Sequence, residues 1–212
     1  MTDALPMPIG DGAADHLIGL HLPDIALEST SGGEVSIKNV SSGRWIMFIY
    51  PRTGVPGEAE PIGWTDIAGA KGCTAEACSF RDNLGELHES GAQSVTGLSV
   101  QSSAYQREAV GRLHLTYPLF SDENGRLAGA LKLPTFTVAS LTLLKRMTLV
   151  VDGYVIRHVF YPVFPAEGHA NQVRDWLRAN PAGLLARDES LSDRIFRQVD
   201  AAGQIDPELD FR

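Results

Sequence analysis

The chain has 212 residues, 43% of them hydrophobic, and a formal net charge of −8 at pH 7. That is enough apolar material for one ordinary core without disulfide staples, and the acidic balance argues against broad binding to nucleic acid or an anionic membrane. No apolar run reaches the roughly 20 residues that a membrane-crossing helix needs. The Pro/Gly-rich residues 1–15 lack the basic-then-apolar order of a secretory leader, so a soluble protein in a reducing cytoplasm is the expectation.

The first 20 residues read as a loose arm, and residues 21–180 as one folded domain. Within 22–37, β-prone runs flank Ser31-Gly32-Gly33, a hairpin signal. Residues 45–50 (Trp-Ile-Met-Phe-Ile-Tyr) form a strand too apolar to face water, hence central, and Pro51 stops it. Residues 52–72 carry repeated Pro and Gly (Val55-Pro56-Gly57, Pro61, Gly63, Gly69, Gly72) and read as a long loop, a kind of segment that is usually functional or mobile. A helix is expected over 73–88, with Ala77, Phe80, Leu84 and Leu87 on its buried face, ended by Gly91. A strand follows at 94–100, a helix at 103–113, a short strand at 117–120 and a short helix at 124–131. Runs 146–151 and 155–161 flank Asp152-Gly153, a hairpin turn signal. Residues 167–179 form an amphipathic helix carrying Val173, Trp176 and Leu177. The tail, 181–212, adds one more helix near 190–199. Alternating β and α elements closed by an antiparallel hairpin give an α/β chain: a mixed central sheet flanked by helices, as in a thioredoxin-like fold.

Two cysteines carry the chemistry. Cys73 stands where the long loop enters a helix, and unpaired N–H groups with the positive end of the helix dipole favour a thiolate there. Gly72 lets a substrate approach the backbone. Cys78 lies five residues on. In an intact helix that places the Cα atoms about 8.6 Å apart, whereas a disulfide needs roughly 4.4–6.8 Å. The two sulfurs can therefore bond only if the first turns unwind. A metal site is not expected, because no His or third Cys stands at ligand spacing. Taken alone, the pair is also compatible with two inert buried thiols.

The block Gly72-Cys73-Thr74-Ala75-Glu76-Ala77-Cys78-Ser79-Phe80-Arg81-Asp82 resembles the active-site helix of the peroxiredoxins. The closest branch is the bacterioferritin comigratory protein or Q-type branch, which keeps both cysteines in one helix. Phe48-Ile49-Tyr50-Pro51, Pro118-Leu119-Phe120-Ser121-Asp122 and Lys145-Arg146-Met147-Thr148-Leu149-Val150-Val151-Asp152-Gly153 support it in order and spacing. The resemblance spans residues 23–177.

It implies that Cys73 is the peroxidatic cysteine, Cys78 the resolving one, and Arg146 an active-site arginine on a strand beside Cys73. It also implies a peroxide substrate, a thioredoxin-type reductant, a monomer or homodimer, and no metal, haem or flavin cofactor. The chain departs from the family's Pro-x-x-x-Thr-x-x-Cys turn: Ala70 stands three residues before Cys73, and about fifteen extra residues separate Pro51 from it. Thr53, beside the matched proline, is the candidate for the missing hydroxyl, with Thr65 second. Glu76 and Arg81 are expected to buttress the site or to serve in ion pairs. Trp64 is read as a hydrophobic anchor or a pocket cap, and the six histidines as scattered. Rival readings are a peroxide sensor or thiol–disulfide exchange protein on the same scaffold, or a non-catalytic interaction module.

Overall fold

A computed structural model describes residues 6–40 and 43–182. In chain order it contains β1 (Ala26–Ser29), β2 (Glu34–Ser36), α1 (Ile37–Val40), β3 (Arg44–Ile49), α2 (Cys73–Asp82), α3 (Leu84–Glu89), β4 (Ser94–Ser99) and α4 (Ser103–Leu113). These are followed by β5 (Leu119–Ser121), α5 (Arg126–Leu131), β6 (Thr135–Val138), β7 (Leu141–Leu144), β8 (Met147–Asp152), β9 (Val155–Phe160) and α6 (His169–Ala179). Seven strands make one sheet in the order β2-β1-β5-β4-β3-β8-β9, and β6 with β7 forms a separate hairpin.

The apolar run at 45–50 is central, as its composition requires. β3 runs parallel to β4 and antiparallel to β8, and every residue of it is buried. Alternation along β3 splits the core in two. Trp45, Met47 and Ile49 pack on one face with Phe120, Leu149 and Val151. Ile46, Phe48 and Tyr50 face the other way, onto Phe80 and Leu87 and onto Val173 and Leu177 of α6. Phe48 and Phe80 stack with centroids 4.4 Å apart. This second face holds the cysteine helix against the sheet.

Gly97 of β4 lies under that stack. A Cβ there would sit 2.5 Å from Leu119 Cδ2 and 2.7 Å from Phe48 Cζ. Overpacking a core in this way costs about 1–3 kcal/mol. Gly97→Ala is therefore expected to lower stability by that amount in chemical denaturation, and an unchanged midpoint would show that the core yields there.

Four sequence expectations are corrected. The single helix over 73–88 is two, α2 and α3, meeting at Asn83 (φ −103°, ψ 8°). The Asn83 backbone N–H and its side-chain amide both donate to the Ser79 carbonyl, and a side chain that competes for helical acceptors in this way interrupts the helix. The β8–β9 turn falls one residue later than Asp152-Gly153. Asp152 pairs with Val155 inside the ladder, and Gly153 and Tyr154 make the turn at φ 55° and 73°. Asp152 is kept in the strand by its ion pair with the buried Arg44, at 2.7 Å.

The β6–β7 hairpin was not expected. Its strands pair in regular antiparallel register, but the turn at Ala139 (φ 50°) has no Gly, Asn or Pro to announce it. Finally, residues 6–20 are not a loose arm. Ala14 and Leu17 are buried in the core, and Gly19 and Leu22 donate backbone hydrogen bonds to Ile156 and Tyr154 at the edge of β9. The tail helix expected near 190–199 lies outside the described residues. No helix among the described residues is long and apolar enough to cross a membrane.

Candidate active site

Cys73 is the first residue of α2, and Gly72 caps that helix in the left-handed region at φ 102°. A Cβ on Gly72 would sit 2.8 Å from Ala166 Cβ, so both conformation and space demand glycine where the loop enters the helix. Cys73 is 4% exposed. Its thiol donates to the Ala70 carbonyl at 3.5 Å, and Arg146 Nη2 approaches its Sγ to 3.1 Å. Arg146 is not within a strand; it immediately precedes β8, where its guanidinium turns under the cysteine helix.

The guanidinium organises the whole floor of the site. Nη2 also donates to the carbonyls of Gly69 and Lys71, at 3.3 and 3.0 Å. Nη1 donates to Glu76 Oε2 in an ion pair whose members are both essentially inaccessible. The last residues of the 52–72 loop are thus wrapped around one cation. Burial works to lower the Arg146 pKa, but the attraction and hydrogen bonds of Cys73 and Glu76, each an anion when ionised, outweigh it and hold the group above its ordinary value. Burial pushes Glu76 up to about 7, against the pull of the Arg146 charge and hydrogen bond.

Thr53 is not brought to the sulfur. It is buried, but its hydroxyl and its backbone N–H both donate to Gln101 Oε1, and Gln101 returns a hydrogen bond to the Thr53 carbonyl. Its bonds tie the start of the loop that links β3 to α2 onto the segment that leaves β4. Thr65 is exposed, with its hydroxyl on Asp66. The acceptor beside Cys73 is the Ala70 carbonyl. A carbonyl can accept from the thiol but cannot donate to the thiolate, so Arg146 is left as the donor to the ionised sulfur.

Cys78 is half-buried against the same core face, both cysteines are free, and α2 is unbroken between them. Arg81 is tied to Asp82 and to the Leu113 carbonyl rather than to Cys73. Trp64 is a buried anchor, packed with Ala70, Val138 and Leu143 and near Phe136, and it pins the insertion to the β6–β7 hairpin.

His169, one of the six histidines expected to be scattered, is fully buried beneath the site. It bonds Thr148 Oγ1 at 2.8 Å and Gln172 Oε1 at 3.0 Å, and lies edge-on to Phe80 and Phe160. Its spacing of four from Val173 and eight from Leu177 was the available signal.

Space reaches Arg146 from one side. A cavity of about 130 Å³ is lined by Ile9, Ile67, Phe136, Arg146 and Tyr161, and a smaller cleft joins Arg146 to Gly72. A larger cavity, near 570 Å³ between Arg52, Tyr105 and Leu144, touches neither Cys73 nor Arg146. Among the described residues no cluster of ligands could hold a metal ion.

Comparison with known proteins finds relatives over most of the chain. The Redoxin family model matches residues 18–176. The chain is 27% identical over 162 residues to the chloroplastic peroxiredoxin Q of Arabidopsis thaliana, which covers 76% of this chain and 67% of that protein. It is 29% identical over 126 residues to the peroxiredoxin bcp1 of Schizosaccharomyces pombe, covering 58% of this chain but only 56% of the yeast protein. Among solved structures it is similar to the peroxidoxin BcpB of Mycobacterium tuberculosis, with a TM-score of 0.63, 28% identity, and coverage of 78% of this chain and 98% of that one. It shares the fold of Xanthomonas campestris peroxiredoxin Q at a TM-score of 0.61 and 21% identity, covering 76% and 96% of the two chains. With the mixed sheet, the helix-leading cysteine and a family match over most of its length, the chain belongs to the Redoxin family, in the company of peroxiredoxins of the Q and bacterioferritin comigratory type.

Proposed function

We propose that the protein is a thiol-dependent peroxidase in which Cys73 attacks the peroxide and Cys78 resolves the product. The observation that carries this reading is the Cys73 sulfur at the head of α2, 3.1 Å from a buried guanidinium. The Cys73 thiolate attacks the terminal oxygen of hydrogen peroxide or an alkyl hydroperoxide. A sulfur lone pair forms the S–O bond, the O–O pair departs on the leaving oxygen, and that oxygen takes up a proton to become water or alcohol. Arg146 donates to the sulfur before attack and to the negative charge that develops as the O–O bond lengthens. The product is a Cys73 sulfenic acid.

Resolution follows from the helix geometry. About five residues of intact helix hold the Cα atoms beyond disulfide range, so the first turns of α2 unwind before the Cys78 thiol displaces water from the sulfenic acid. The hinge is Gly72, whose carbonyl accepts the first helical hydrogen bond from Glu76. A dithiol of the thioredoxin type then reduces the disulfide by exchange.

The test is direct. Cys73→Ser is expected to abolish peroxide turnover. Cys78→Ser should still consume one equivalent of peroxide but fail to turn over with a dithiol reductant. After a brief, low peroxide dose, mass spectrometry should find an internal Cys73–Cys78 bond in the wild type. Full turnover by Cys73→Ser, or thiols left inert after the dose, would overturn the reading.

A further inference from the structure

Glu76 is a carboxyl group with 0% exposure, three residues along α2 from Cys73 and bonded to the same guanidinium. Its Oε1 has no hydrogen-bond partner among the described residues. The charges around it are few. Cys73 shares its helix, and Arg146 meets it from the approach to β8. Tyr50, at the end of β3, and Tyr117 lie within electrostatic reach, and burial holds both phenols protonated. His169 of α6 feels the Arg146 charge and is kept neutral by burial. One cation therefore faces two groups able to become anions in a space without water-like screening, where an uncompensated charge is expensive.

From this arrangement we infer that Glu76 holds the proton that Cys73 gives up, so that only one of the two is anionic beside Arg146 at any stage of the cycle. The inference rests on the peroxidase reading of Cys73. Ionisation is then an internal exchange: the Cys73 S–H bond breaks, its electron pair stays on sulfur, and the proton is taken up at the Glu76 carboxylate. The thiolate attacks the terminal oxygen of ROOH, sulfur is oxidised to S–OH, and RO⁻ leaves with the O–O pair. The sulfur is now neutral, Arg146 has lost its anionic partner, and Glu76 re-ionises against it as RO⁻ gains a proton. The sum is Cys–SH plus ROOH to Cys–SOH plus ROH, with no proton drawn from solution. Glu76 does not touch the peroxide; it is a positioning residue that acts through the charge it balances.

The inference predicts a proton count. Reduced protein carrying Cys78→Ser, which stops at the sulfenic acid, is mixed with one equivalent of hydrogen peroxide in weak buffer with a pH indicator. The pH is one at which ultraviolet absorbance shows the Cys73 thiolate. The protein with Glu76 intact is expected to take up no proton per sulfenic acid formed. Adding Glu76→Gln removes the store, and the same reaction should take up one proton from solution. Uptake of one proton with Glu76 present would overturn the inference, as would oxidation with no thiolate absorbance at any pH at which the protein is folded. The arm with Glu76 present decides the matter even if the Gln variant fails to fold. A protein whose thiols do not oxidise at all would instead overturn the peroxidase reading, so the two failures are distinct.

Discussion

Replacing Arg146 with Met is expected to slow oxidation of Cys73 by peroxide by about 10²–10³-fold, the usual effect of removing one preorganised donor from a developing negative charge. The expectation is strong here because, among the described residues, no other side chain bonds the sulfur. The other hydrogen-bond partner of Cys73 Sγ there, the Ala70 carbonyl, is an acceptor. Arg146→Lys should recover only part of the rate. One ammonium cannot bond the sulfur, Glu76 and the carbonyls of Gly69 and Lys71 together, as the planar guanidinium does.

Arg146→Met is also expected to destabilise the fold by about 3–5 kcal/mol, because it leaves the buried Glu76 without its counter-charge. Combining it with Glu76→Gln separates the two effects. The double variant should regain most of the lost stability in urea denaturation and none of the lost rate in stopped-flow oxidation. A double variant that recovers rate along with stability would mean that Arg146 supports the site only through folding. An Arg146→Met protein that reacts at the wild-type rate would remove the residue from the chemistry altogether.

The parts of the molecule that were legible in the sequence are those where one residue type has one physical use. An unbroken apolar run at 45–50 has to be a strand buried on both faces, and β3 is one. Cys73 after Gly72 marks a helix start because glycine alone tolerates that backbone and the contact with Ala166. What stayed hidden depends on partners distant in sequence. Gln101 takes the Thr53 hydroxyl across 48 residues, and no local pattern announces that. The Ala70 carbonyl beside the sulfur is invisible for a more basic reason: every residue carries a carbonyl, and only the course of the 52–72 loop brings this one there. The β6–β7 hairpin escaped because its turn runs through Ala139, and a non-glycine residue at φ 50° leaves no compositional mark. Apart from its spacing to Val173 and Leu177, His169 carries no local mark that separates it from the other scattered histidines, because its burial comes from its ring contacts with Phe80 and Phe160.

Two buried groups under the site are expected to give opposing pH dependences that nearly cancel. In the folded protein burial raises Glu76 from its ordinary 4.5 to about 7. The fold therefore binds a proton that the unfolded chain releases between those values. That contribution is fully present below pH 4.5 and is lost as the pH rises through 7. His169 behaves in the opposite sense. Burial, with the Arg146 charge, lowers it from 6.5 to about 4 despite a hydrogen bond from its Nδ1 to Gln172 Oε1 that works the other way. Its contribution is fully present above pH 6.5 and is lost as the pH falls through 4. Each shift corresponds to about 3 kcal/mol, and the two windows overlap between 4.5 and 6.5.

Glu76→Gln deletes one slope and leaves the other. Its stability relative to wild type should fall by about 2–3 kcal/mol between pH 7 and pH 4.5. His169→Gln should show the reverse trend, gaining on wild type as the pH is lowered from 6.5 towards 4. Guanidinium denaturation of the three proteins at several pH values across this window checks both, and differences from wild type remove the contribution of every group they share. Parallel curves for Glu76→Gln and wild type would show that Glu76 stays ionised in the fold. The carboxyl beside Arg146 would then be an ordinary buried ion-pair partner that stores no proton for Cys73.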